Sequence, residues 1–211
     1  MMSLLRVALF FCISVFFAFN VQAQDFSAHG KYSITTYKSI SYQKNSVSHW
    51  IESYGEKIAE LKSYEIYDNG RKLRLTSKLG FVFENIPYQE GKERFFNEAV
   101  YCFIDAEKSL PLAEECLRKG GFNTRAINTV KLKFPDNAEI HPTRGFTRFK
   151  WGEIWVVGLT PAVGGNIAYV TWGPGKYHDN VTAHEYIHMC GYTNDDHGRA
   201  VFECAKEILN R

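Results

Sequence analysis

The sequence predicts an α+β domain, with helices packed on one face of a mixed β-sheet. Three observations predict it. Hydrophobic residues make up 45% of the 211-residue chain and aromatics 15%, enough for a packed core. From residue 92 onward the patterns run helix, three strand-like segments, helix, short helix. Beyond the N-terminus no segment approaches the ~20 apolar residues that a membrane span needs.

The chain opens Met1-Met2-Ser3-Leu4-Leu5-Arg6, one positive charge ahead of an apolar run from Val7 to Phe19. Val21-Gln22-Ala23 follows, with small residues at the −3 and −1 positions of a cleavage site. This is the layout of a secretory signal peptide over residues 1–23, and it predicts a secreted or periplasmic protein that begins near Gln24. Residues 24–45 are polar, tyrosine-rich and irregular. Trp50, Ile51, Tyr54, Ile58 and Leu61 recur at three- and four-residue steps, which predicts an amphipathic helix over Ser46–Leu61. Tyr64–Thr76 reads as a hairpin around Asp68-Asn69-Gly70, because Asn-Gly accepts the positive φ of a type I′ turn. Gly80–Ile86 adds a strand.

Glu93–Cys116 is the long helix. Phe96, Val100, Phe103 and Ile104 form its apolar stripe, Gly120-Gly121 ends it, and Pro111 is expected to kink it or start a second helix. Strands follow at Val130–Phe134, Glu153–Leu159 and Asn166–Thr171, separated by turn-rich pieces such as His141-Pro142-Thr143-Arg144-Gly145. The strand Asn166–Thr171 reads either as an exposed edge that a peptide could join by main-chain hydrogen bonds or as an ordinary internal strand. A helix over Asn180–Cys190 and a short one over Gly198–Leu209 complete the order.

The net charge of +2 is nearly neutral, and no basic stripe appears, so neither nucleic acid nor an anionic membrane surface is an expected partner. Setting aside Cys12 in the signal segment leaves Cys102, Cys116, Cys190 and Cys204. An even number in an exported chain predicts two disulfides, and the sequence-local pairs Cys102–Cys116 and Cys190–Cys204 are favoured. A four-cysteine metal site is disfavoured, since no C-x-x-C pair exists.

The chemistry concentrates at His184-Glu185-Tyr186-Ile187-His188, an H-E-x-x-H pattern. Histidines at i and i+4 lie one turn apart on one helix face and can grip one Zn²⁺, while Glu185, offset by one residue, reaches the attacking water as general base. The flanking Val181, Thr182, Ala183, Met189 and Cys190 are uncharged, as a helix under an active-site floor requires.

Extended to His184-Glu185-Tyr186-Ile187-His188-Met189-Cys190-Gly191-Tyr192-Thr193-Asn194, the segment resembles the metzincin clan of zinc endopeptidases, H-E-x-x-H-x-x-G-x-x-H. Gly191 matches the glycine that turns the chain out of the helix toward a third ligand. The resemblance implies a zincin-like fold over residues 91–211; residues 24–90 read, from their own patterning, as an N-terminal extension or a prodomain. It implies a zinc-dependent metallopeptidase acting on a peptide or protein substrate. Two departures point to a shortened or divergent relative: the third-ligand position falls on Asn194, and no methionine follows Met189. Asn194, Asp195, Asp196, His197 and Glu203 are the candidates for that ligand. His197 is favoured, because the helical phase of Val201, Phe202, Ala205, Ile208 and Leu209 sets it on the apolar side and imidazole is the better zinc ligand. Glu203 falls on the opposite, solvated face. The phenols of Tyr177 and Tyr192 flank the site as candidate oxyanion donors. His29, His49, His141 and His178 read as surface or turn residues. The alternative to an enzyme is a catalytically silent secreted binding module on the same fold.

Overall fold

Asp68, Asn69 and Gly70 all carry positive φ (51°, 53° and 81°), and Arg71 N–H closes the turn on Asp68 O at 3.1 Å. This is the tight reversal that Asn-Gly makes cheap, and it joins β2 (Glu56–Tyr67) to β3 (Lys72–Ser77) in antiparallel register. The computed structural model describes residues 50–53, 56–172, 181–194, 200–201 and 203–204, so the signal segment and residues 24–49 lie outside it.

The remaining elements are β1 (Trp50–Ser53), β4 (Val82–Pro87), α1 (Glu93–Lys119), β5 (Lys131–Lys133), β6 (Glu139–Ile140), β7 (Thr147–Trp151), β8 (Ile154–Val156), β9 (Gly158–Leu159), β10 (Ile167–Val170) and α2 (Val181–Met189). Residues 200, 201, 203 and 204 are also helical. Among the described residues, seven strands make one mixed sheet in the order β1-β2-β3-β4-β5-β10-β9, in which β4–β5 and β5–β10 are parallel and the other pairs antiparallel. β6, β7 and β8 form a separate three-stranded sheet. The α+β class and the mixed sheet therefore hold.

Register explains where the core sits. Leu75 opposes Phe83, Phe83 opposes Leu132 and Leu132 opposes Ala168, so one buried row crosses four strands. α1 covers β4 with Phe96, Val100, Phe103 and Ile104, and α2 packs on α1, β10 and β9. Residues 59–88 share this core with the helices.

Several expectations are corrected. Ser46–Leu61 is not a helix: β1 and β2 occupy it as far as it is described. Buried Ala59 and Leu61 flank half-buried Glu60 with a period of two, which pairing to β3 enforces over the three-and-four spacing. Gly55 also disfavours a helix there, by about 1 kcal/mol. Pro111 starts no second helix, since α1 runs unbroken from Glu93 to Lys119. Asn166–Thr171 is internal, because β10 is paired with β5 on one side and β9 on the other. Both favoured disulfides fail: Cys116 bonds Cys204, while Cys102 and Cys190 are free thiols. Cys102 and Cys116 share α1, and fourteen residues of helix separate them by roughly 21 Å, whereas a disulfide brings Cα atoms to about 5.5–6 Å.

Candidate active site

α2 is buried on nearly every side. Val181, Thr182, Ala183, Glu185, Tyr186, Ile187 and Met189 are all buried, and the histidine face alone opens outward. Tyr186 anchors the helix by donating its phenol to Arg125 O at 2.5 Å, and Arg125 Nε returns a bond to Met189 O at 3.1 Å.

On the open face the His184 and His188 rings stand 4.8 Å apart, with their Nε2 atoms 3.1 Å apart. Two nitrogens ~2.0–2.1 Å from a tetrahedral zinc stand about 3.3 Å from one another, so the pair has the spacing of two metal ligands. The protonation of His188 follows from its other nitrogen. Nδ1 lies 2.7 Å from Tyr192 O, and a carbonyl can only accept, so Nδ1 carries the proton and Nε2 keeps its lone pair. Gly191 makes that bond possible. Its φ of +99° bends the chain straight out of α2 and brings the Tyr192 carbonyl back onto the His188 ring. His184 is exposed at the cleft, but loss of water around its ring, and then His188 beside it, lower its pKa to about 4, which leaves a neutral imidazole at pH 7.

Glu185 is 5% exposed, and its Oε2 accepts a 2.8 Å bond from Thr160 Oγ1. Burial raises its pKa to about 7, against the opposing pull of Thr160. A carboxylate of near-neutral proton affinity is suited to take and return a proton. Gly158 of β9 makes room for it: a Cβ there would stand 2.7 Å from Glu185 Oε1 and 2.5 Å from Val181 Cγ1.

In front of these groups lies a cleft of about 460 Å³. Val181, His184 and Glu185 form one wall. His141, Phe146, Arg148, Trp155 and Val156 line the β6–β8 side, and Val157 and Gly158 line the junction, where Gly158 abuts Val181 and Glu185. Arg148 holds this second wall together, bonding Glu139 Oε1 through Nε (3.0 Å) and Nη2 (2.7 Å) with its guanidinium 4.0 Å over the Trp155 ring.

The structure thus brings His184, Glu185 and His188 together. Among the described residues no third His, Cys, Asp or Glu joins the pair. Asn194 is exposed, as is Glu203, while Val201 is buried, matching the helical phase read from the sequence. Asp195, Asp196 and His197 lie outside the described residues, as do Tyr177, His29, His49 and His178. Tyr192 is not a cleft residue. Its hydroxyl accepts the Asn123 N–H at 2.7 Å and its ring packs edge-on against Phe122. Sequence reasoning missed Thr160, Gly158 and the whole second wall, including His141; none has a local pattern that separates it from an ordinary turn or strand residue.

No protein-family model matches this chain, and comparison with curated proteins and with solved structures returns no match.

Proposed function

We propose that this chain is an exported zinc-dependent metallopeptidase with a zincin-like site. His184, His188 and His197 hold Zn²⁺, and Glu185 is the general base. The observation that carries the reading is the Nε2 pair of α2, 3.1 Å apart, with His184 and the buried Glu185 carboxylate beside it both lining a cleft. Zinc, when bound in such a site, acidifies a water and polarises a carbonyl.

The chain's own residues do the rest. Tyr192 O holds the His188 ring in the tautomer that offers Nε2. Glu185 takes a proton as the water oxygen bonds to the peptide carbonyl carbon. It then returns that proton to the amine nitrogen as the C–N bond breaks, so Glu185 ends the cycle as it began. Thr160 fixes the carboxylate during both transfers. The β6–β8 wall takes the substrate side of the cleft.

The test is metal content by mass spectrometry on the mature protein beside His184→Ala, His188→Ala and His197→Ala, with casein turnover read in parallel. One zinc per parent chain is expected, lost or weakened in all three variants together with turnover. Zinc retained in His197→Ala moves the third ligand to Asp195, Asn194 or Glu203. No zinc in a metal-replete parent refutes the reading and leaves the secreted binding module.

A further inference from the structure

His141 sits across the cleft from His184 and Glu185, on the turn that joins β6 to β7. Its ring is held from several directions. The backbone N–H groups of Thr143 and Arg144 both point at Nδ1, each at 3.3 Å. Both are obligate donors, so Nδ1 must accept and the proton resides on Nε2. The ring packs at a 34° tilt against Phe146, centroids 4.8 Å apart, and the turn is closed by His141 N–H to Phe146 O (2.7 Å) and Gly145 N–H to His141 O (3.0 Å). Arg94 of α1 grips the turn from outside through Gly145 O. Nδ1 therefore faces back into the turn, and Nε2–H is the donor left for the cleft.

We infer that His141 is a catalytic residue that donates the Nε2–H hydrogen bond to the substrate carbonyl oxygen as negative charge develops on it. The inference rests on the peptidase reading and extends it to the wall opposite the metal helix. The role needs no proton transfer from His141: the ring keeps its proton and supplies a fixed dipole. Such a donor stabilises a transition state most when, as here, its direction is set before substrate arrives. Tyr192, the tyrosine beside the motif, packs on Phe122, accepts from Asn123 N–H and does not line this cleft.

The test uses two variants of the zinc-loaded mature chain and one measurement that needs no turnover. His141→Leu removes the donor, whereas His141→Gln keeps a side-chain N–H. His141→Leu is expected to retain full zinc and lose ~10²–10³-fold in kcat with little change in KM, and His141→Gln to recover most of it. In ¹⁵N spectra of histidine-labelled, metal-free protein, His141 should show the Nε2–H tautomer. In the zinc-loaded protein, its Nε2 resonance should move when a phosphinic peptide, a tetrahedral mimic, is added. Parent-like kcat in His141→Leu, an Nδ1–H tautomer, or a phosphinic peptide that leaves His141 unmoved would each overturn the assignment. A zinc-loaded parent that hydrolyses no peptide defeats the peptidase reading instead, and the two spectra still decide whether His141 is the donor.

Discussion

The two walls of the cleft are held in place by different shares of packing and polar contact. α2 is locked by burial: Tyr186, Ile187 and Met189 are 0% exposed, and the helix rests on α1, β9 and β10. The β6–β8 wall is a small sheet whose outer residues Trp151, Ile154 and Trp155 are 44–58% exposed. Buried Phe149 and the exposed Trp151 pack it on Tyr169 of β10, and polar ties add to that hold. Thr147 donates to Glu98 of α1, Arg148 bonds Glu139, Arg94 bonds Gly145 O, and Thr171 Oγ1 bonds Thr147 O at 2.9 Å. Groups needing fixed mutual geometry stand on the packed wall. The opposite wall relies more on hydrogen bonds and ion pairs, which respond to pH and salt more than packing does.

Substitutions in each wall should therefore fail differently. The largest effect is expected in the packed wall: Ile187→Ala leaves a cavity beneath the histidine pair and should lower stability by about 2–5 kcal/mol in urea melts. Loss under 1 kcal/mol would mean that burial does not hold α2. Where the walls meet, Gly158→Val drives a side chain into Val181 and Glu185. The overpacking should cost about 1–3 kcal/mol and displace the general base, so turnover falls while zinc content stays. Parent-like turnover would show that Glu185 tolerates a second position.

The smallest effect belongs to the polar wall and is read through pH. Burial raises the Glu98 carboxyl above its ordinary value, against the opposing hydrogen bonds from Thr147 and Arg94. The folded state thus binds this proton more tightly than the unfolded state. That contribution to stability is complete below the unfolded pKa of about 4.3 and is lost as pH rises through the folded value. Glu98→Gln should flatten this decline while changing stability at pH 7 by no more than about 1 kcal/mol. An unchanged slope between pH 4 and 7 would remove Glu98 as the link from α1 to the second wall.

The same division decides how much was legible in the sequence. α2 could be read because its chemistry is local: two histidines and a glutamate at fixed helical spacing, followed by the Gly191 turn. The β2–β3 hairpin and α1 were legible for the same reason, through Asn69-Gly70 and the Phe96–Ile104 stripe. His141 was not, because a histidine in a turn has the same local pattern whether it faces bulk water or a cleft, and tertiary folding alone sets it opposite Glu185. The Cys116–Cys204 bond was hidden likewise, since it joins residues 88 apart that no spacing rule connects. The Ser46–Leu61 segment failed because apolar residues at three- and four-residue steps fit a helix in isolation, and pairing with β3 overrode them.

The most direct test of the central claim is Glu185→Gln, which is nearly isosteric and keeps the Thr160 contact within reach while abolishing the base. Zinc stoichiometry and peptide turnover should be measured on the same preparation. The account predicts unchanged zinc and a loss of turnover on the order of 10²–10⁴-fold. Parent-like proteolysis by a zinc-loaded Glu185→Gln protein would contradict it.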